Sequence, residues 1–365
     1  MLLLHELSRT GAPKVALDIF DALPEIDLRV VATHGGPLET RCRQRASLRV
    51  LEPASRRWKH PLPLGARIRI KGQQLSASPF VRGFKPDLIY ANSIESLHIL
   101  RYVRLPNAPI LCHVHELRSH LEPFAARLPQ LFARPQKYIA VADCVSQALQ
   151  KLKVPTEKIE IVHAFANADF ASGIAKSSTR KDDVFVVGGA GTPIWRKGFS
   201  LWLQMAFYLR QSLGEQVKFV WVGFQNGFNS AQFQQEIENL GLQNAVELVS
   251  VTSNPQEHFR RFDVFAMTSW EDPCPLVVLE NMLLQTPVAC FAPSGGASEE
   301  VGDTGIVIDG FDPHAMAQQI ASLLQDETRL KTLGERARHR VLDLFTAQTQ
   351  VPKVARTMSE IVAKK

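Results

Sequence analysis

The segment Ser269-Trp270-Glu271-Asp272-Pro273-Cys274-Pro275-Leu276-Val277-Val278-Leu279-Glu280 sets acids in a loop, a proline where a helix can begin, and another acid inside that helix. Pro275 suits the first helical position, because its missing N–H is unpaired there anyway. The free N–H groups of that first turn make an anion site. Glu280 falls five residues further, roughly 7–8 Å away at ~1.5 Å per residue. A diphosphate at the helix start would leave an attached ribose near Glu280 and a sugar near Asp272. The segment therefore has the layout of a nucleotide-sugar site.

Four further strings carry chemistry. Cys112-His113-Val114-His115-Glu116-Leu117 ends an apolar run. Alternation turns His113 and His115 to one face of a strand, and ligands of open α/β sheets bind beyond the carboxyl ends of strands. The H-x-H spacing has no further ligands nearby, so no metal is expected. Gly188-Gly189-Ala190-Gly191-Thr192-Pro193-Ile194-Trp195-Arg196-Lys197-Gly198 has Ile194 where a dinucleotide loop needs its third glycine, which excludes that reading. Arg196 and Lys197 instead place two cations near a helix start, where the helix dipole mildly disfavours them. His5-Glu6-Leu7-Ser8-Arg9-Thr10-Gly11-Ala12-Pro13 reads as a strand, a turn and a helix, with small residues that let a phosphate or sugar approach backbone N–H groups. Pro293-Ser294-Gly295-Gly296-Ala297-Ser298-Glu299-Glu300-Val301 is a second glycine-rich turn into a helix.

The elements that must position these residues alternate. Strand-like runs at 28–33, 87–91, 109–114, 138–142 and 159–163 have helical patterns between several of them. A second series follows at 184–188, 218–223, 246–251, 263–268, 288–291 and 305–308. Residues 164–183 read as a linker, and the chain from Pro313 onward reads as helical. Alternating strands and helices predict parallel sheets covered on both faces. The expectation is an α/β protein with two Rossmann-like domains facing a cleft, at 1–165 and 166–344.

No apolar run reaches the ~18–20 residues of a membrane span. Met1-Leu2-Leu3-Leu4 is too short for a secretory signal core. The five cysteines are scattered and odd in number, which argues against a disulfide framework or structural zinc and for a reducing cytoplasm. Residues 1–180 carry 26 Lys and Arg against 15 Asp and Glu, while the remainder carries 16 against 21. The densest basic run takes in Arg41, Arg43, Arg45, Arg49, Arg56, Arg57, Lys59, Arg67, Arg69 and Lys71, with Trp58 and several leucines between. Such a run fits an anionic membrane surface or a lipid-linked substrate as well as it fits a solvated loop. No nucleic-acid-binding motif accompanies it.

The acidic segment resembles the acid-x7-acid motif of the family 4 retaining glycosyltransferases, in the branch with E-D-P-x-P-L-V-x-L-E and H-E-L-S-x-T-G-A-P. The H-E step, the R-K-G segment and the G-G turn follow in the family's order. The resemblance implies the GT-B fold, with a last helix at 345–365 packing back on the N-terminal domain. It implies Arg196 and Lys197 on a donor diphosphate, Glu280 on ribose, and Asp272 and His115 on the donor sugar. Thr10, Gly11, Glu271, Pro275, Leu276 and Val277 would complete the donor site. Two departures stand out: Asp272 replaces the usual Glu, and Thr192 stands where many members have Arg. The implied reaction is retaining transfer from a nucleotide-diphosphate sugar, without cofactor or metal, to a glycan or polyprenyl-linked acceptor in surface polysaccharide assembly. Arg41, Arg43 and Arg45 are the expected acceptor or membrane residues of a cytoplasmic protein peripheral to the inner membrane face. A nucleotide-sugar 2-epimerase of the same fold and a catalytically silent scaffold are the alternatives.

Overall fold

The computed structural model describes residues 1–51, 79–81, 83–103, 105, 107–171, 184–225 and 230–364. The chain divides into two compact units, Met1–His163 with Gln350–Lys365, and Ala164–Thr349. Arg56, Arg57, Trp58, Lys59, Arg67, Arg69, Lys71 and most of the expected linker lie outside the described residues.

The first unit contains β1 (Leu2–Glu6), α1 (Gly11–Asp21), β2 (Arg29–His34), α2 (Glu39–Arg45), β3 (Ser47–Val50), β4 (Ile89–Asn92), β5 (Ile110–Val114), α3 (Arg118–Arg127), α4 (Pro129–Phe132), β6 (Lys137–Ala140), α5 (Asp143–Lys151) and β7 (Ile159–Ile161). Its strands run parallel in the order β3-β2-β1-β4-β5-β6-β7. Strand order reverses between β1 and β4, the position where open α/β sheets bind ligands. The central strands are buried on both faces, which is why they read as continuous apolar runs. Between β4 and β5 the chain forms a 3₁₀ helix at Glu95–Arg101.

The second unit contains β8 (Phe185–Ala190), α6 (Phe199–Leu213), β9 (Val217–Phe224), α7 (Ser230–Asn239), β10 (Val246–Ser250), α8 (Gln256–Phe259), β11 (Val264–Met267), α9 (Leu276–Leu283), β12 (Val288–Phe291), α10 (Ala297–Val301), β13 (Ile306–Ile308), α11 (Pro313–Leu324) and α12 (Glu327–Leu344). Its parallel order is β10-β9-β8-β11-β12-β13, again reversing beside the first strand. Alternate residues feed two cores. Phe219, Trp221, Ala266 and Phe291 pack on one side, and Val220, Val222, Met267 and Cys290 on the other. That is the period of two a pleated strand imposes.

The last helix, α13 (Ala347–Val362), belongs to the first unit from Gln350 onward. There Lys137 Nζ donates to Glu360 Oε2 at 3.0 Å, and Arg356 Nη2 donates to Glu160 Oε1 at 3.1 Å. Among the described residues, no helix is long and apolar enough to cross a membrane.

Arg41, Arg43 and Arg45, the expected acceptor or membrane residues, all have partners within the first unit. Arg41 bonds Asp18 and Asp21 of α1, each at 2.6 Å. Arg45 donates to the carbonyls of Phe20, Leu23 and Ile26, closing the turn after α1. Arg43 reaches Leu48 O and Glu39 Oε2, both at 3.4 Å. Charge density in sequence records cations but not their partners. Here the three guanidiniums fasten α2 to its neighbours.

Candidate functional site

In the second unit, three loops at the carboxyl ends of strands are tied to one another. After β8 the chain makes a 3₁₀ turn at Trp195–Lys197 and enters α6 through Gly198, at φ +62°. A Cβ on Gly198 would lie 1.9 Å from Thr268 O, so only glycine allows this close approach. Thr268 Oγ1 in turn donates to Gly198 O at 3.0 Å. The basic and acidic loops then exchange bonds. Trp270 N donates to Arg196 O at 2.9 Å, and Arg196 Nη1 donates to Glu271 O at 2.9 Å. Lys197 Nζ meets Asp272 Oδ2 at 2.5 Å.

The third loop is the glycine-rich turn after β12. Asp272 N donates to Ser294 O at 2.7 Å, and Gly296 N donates to Asp272 O at 3.1 Å. These bonds form an isolated parallel bridge between Asp272 and Gly295. Cys274 Sγ donates to Glu300 Oε1 at 2.9 Å. The two adjacent acids separate: Glu300 is 1% exposed, whereas Glu299 is only half-buried. Burial pushes the Glu300 carboxyl well above the usual range.

Pro275 was expected at the first helical position. It sits one residue earlier, as the extended residue before α9, which starts at Leu276. The shift leaves free N–H groups on Leu276 and Val277, while Val278 N donates to Pro275 O at 2.8 Å. Leu276 and Val277 are half-buried, and Glu280 lies within α9 at 9% exposure. The structure thus brings Arg196, Lys197, Glu271, Asp272, Pro275, Leu276, Val277 and Glu280 onto two linked loops and the helix they open.

In the first unit, His115 stands just beyond β5. Its Nε2 lies 3.1 Å from Asn92 Oδ1, and Asn92 Nδ2 donates to Ala12 O at 2.9 Å. The amide is therefore oriented with its oxygen toward the ring, which sets His115 as the Nε2–H tautomer. Burial, with the nearby His5, drives the His115 pKa down to about 3, so the ring is neutral. Glu116 Oε2 accepts from His115 N at 2.9 Å and Ile94 N at 3.3 Å, yet burial outweighs these bonds and raises its pKa to about 7. His113, expected on the same strand face as His115, is 1% exposed, and its Nδ1 pairs with Tyr90 Oη at 2.6 Å.

Ser93, next to the strand-order reversal, has φ +113°. A non-glycine residue there stores strain on the order of 1–3 kcal/mol, a recurrent mark of functional loops. Its backbone N–H to His113 O and its hydroxyl contacts with His5 Nδ1 and Ser96 Oγ hold it there. Thr10 and Gly11 are exposed at the start of α1. Ser8 Oγ lies 2.7 Å from Glu6 Oε1 and 2.8 Å from Thr10 Oγ1. The His5 contact, with help from Ser8 and Thr10, lowers the Glu6 pKa to about 2.

Asn92, Ser93 and Glu300 were not singled out from the sequence. A lone Asn closing an apolar strand was the available signal for the first. For the last, the signal was an acid at a position whose neighbours Ala297 and Val301 are core residues.

Comparison with known proteins adds four findings. Residues 173–340 match the family model described as glycosyl transferases group 1. The Staphylococcus aureus capsular polysaccharide biosynthesis glycosyltransferase CapM is 28% identical over 46% of this chain and 44% of its own length. The chain spans less than half the length of that relative. Among solved structures, Anabaena HepE in complex with UDP-glucose superposes with a TM-score of 0.80, at 20% identity over 98% of this chain and 99% of that one. WaaG, a glycosyltransferase involved in lipopolysaccharide biosynthesis, gives a TM-score of 0.73 at 15% identity, over 98% and 99%. The fold is GT-B.

Proposed function

We propose that this chain is a retaining glycosyltransferase that moves a sugar from a nucleoside-diphosphate sugar to a glycan or lipid-linked acceptor in surface polysaccharide assembly. The observation that carries this reading is the Lys197–Asp272 pair, set beside the start of α9 with Glu280 inside that helix. The match to glycosyl transferases group 1 covers these residues and supports it. HepE, which shares the fold, is a protein solved with UDP-glucose.

In this reading a donor diphosphate lies against the free N–H groups of α9 and displaces Lys197 toward itself. Lys197 and Arg196 then neutralise charge that grows as the sugar–phosphate bond breaks. Glu280 takes the ribose hydroxyls. Asp272, released from Lys197, accepts from a sugar hydroxyl, and in the first unit neutral His115 keeps an acceptor at Nδ1. The departing phosphate takes the acceptor's proton on the same face, so the anomeric configuration is kept without an enzyme nucleophile. The protein contributes orientation and preorganised charge. Two protein cations do the work a divalent ion would do, so turnover in EDTA is part of the proposal.

Thermal-shift screening of nucleoside-diphosphate sugars, followed by acceptor-dependent release of nucleoside diphosphate, tests the reading. Release without any acceptor would favour the 2-epimerase alternative. Donor binding with no turnover on any acceptor would favour a silent scaffold. The anomeric configuration of the product, read by NMR, tests retention.

A further inference from the structure

Two buried polar atoms of the glycine-rich turn have no hydrogen-bond partner among the described residues: Glu300 Oε2 and Ser294 Oγ. Both residues lie on the segment bridged to Asp272. Ser294 supplies the carbonyl that takes the Asp272 N–H, and Glu300 holds the Cys274 thiol two residues after Asp272. Lys197 and Asp272 are close enough to act electrostatically on Glu300. Buried polar groups are almost always paired, and an unpaired one costs stability.

The local structure does not need this carboxyl. Arg340 already satisfies the end of α10, with Nε on Glu300 O and Nη2 on Glu299 O, both at 2.8 Å. Gly302, at φ +53°, ends the helix. Ala297 and Val301 on either side pack into an apolar core with Val278 and Cys290. A leucine would suit the position by packing alone. An acid persisting there, half-satisfied, conflicts with its surroundings in the way functional sites do.

We infer that the Glu300 carboxyl, steadied by Cys274 and assisted by the Ser294 hydroxyl, hydrogen-bonds one hydroxyl of the transferred sugar and so selects the donor. The inference rests on reading the Lys197–Asp272 site as the donor site. The pairing fits the chemistry. Burial pushes the pKa of both the Glu300 carboxyl and the Cys274 thiol up, which favours their neutral forms. The thiol fills Oε1, which leaves Oε2 to donate to a hydroxyl oxygen. A bond made in a dry site discriminates strongly, because a sugar lacking that hydroxyl strands the buried acid.

The test uses the full chain and the variants Glu300→Leu, Glu300→Asp and Glu300→Gln. UDP and GDP are titrated alone. The UDP- or GDP-hexose that binds the parent protein is then compared with its monodeoxy analogues. Nucleoside diphosphate affinity should be unchanged in every variant. Glu300→Leu should lose on the order of 10²-fold in kcat/KM for the full hexose, yet equal the parent protein on one monodeoxy donor. Glu300→Gln keeps a neutral donor and acceptor and should restore most of the preference. Should the leucine variant fail to fold, Glu300→Asp, whose carboxyl is withdrawn by one carbon, decides by the same comparison. Equal losses on every monodeoxy donor would show a structural role and overturn the inference, as would no loss at all. A parent protein that binds no nucleoside diphosphate would overturn the donor-site reading itself, and this inference with it.

Discussion

Lys197 Nζ lies 2.5 Å from Asp272 Oδ2, and the two side chains are only 18% and 8% exposed. A pair so shielded is costly to break from one side, since the survivor keeps its charge without its partner. Lys197→Ala should therefore lower stability by up to ~3 kcal/mol and lower kcat by ~10²–10³-fold. Adding Asp272→Ala to it should recover most of the stability and none of the activity. Denaturant titration beside steady-state rates checks both halves. A double variant as unstable as the single one would mean that the pair is not what Lys197 contributes.

Glu280 sits inside the first turns of α9 at 9% exposure. With a donor at ~100 times its Kd, the native state gains ~2.7 kcal/mol. For a domain of this size that moves the melting midpoint by roughly 5–10 °C. Glu280→Ala should remove most of that shift while leaving the unliganded midpoint within a few degrees of the parent. A full shift in the variant would take the ribose role away from Glu280.

The fold was legible because central parallel strands are apolar on both faces and stand out as runs. β3 was not, since Ser47–Val50 is an edge strand in which only Leu48 is buried. The acidic and basic loops were legible by motif. Their reciprocal bonds were not, because Arg196 and Glu271 meet across 75 residues of sequence. Partners for Arg41 were readable in principle: Asp18 and Asp21 are three apart on one helix and so share a face. Glu299 and Glu300 show a harder limit. Adjacent acids look alike in sequence, and only the path of α10 decides that Glu300 turns into the core.

Asn92 fixes the His115 tautomer through Oδ1, so its chemistry can be changed almost without changing its shape. Asn92→Asp sets a carboxylate against a ring that burial holds at a pKa of about 3. A close negative charge favours the imidazolium. The His115 pKa should rise toward neutrality, and the rate should acquire a new ionisation on its acid limb as His115 becomes charged. Histidine NMR titration and a pH–rate profile read this directly. An unaltered profile with a raised pKa would show that neutral His115 is not required for turnover.

Glu116 gives a pH signature of the opposite kind. Its folded pKa is about 7 against an ordinary 4.5, raised mainly by burial. Between those values the native state binds more protons than the unfolded chain, so stability falls as pH rises through this window. Below it both states are protonated, and above it the cost is fully present. Glu116→Gln retains an oxygen to accept the His115 and Ile94 amides and cannot ionise. The variant and parent should match near pH 4.5. The variant should then gain relative stability up to about pH 7, with a constant difference beyond. The difference between their unfolding free energies then reads the ionisation of Glu116 together with its electrostatic coupling to His5 and Glu95. A difference that stays flat across this range would mean that Glu116 ionises freely in the folded protein.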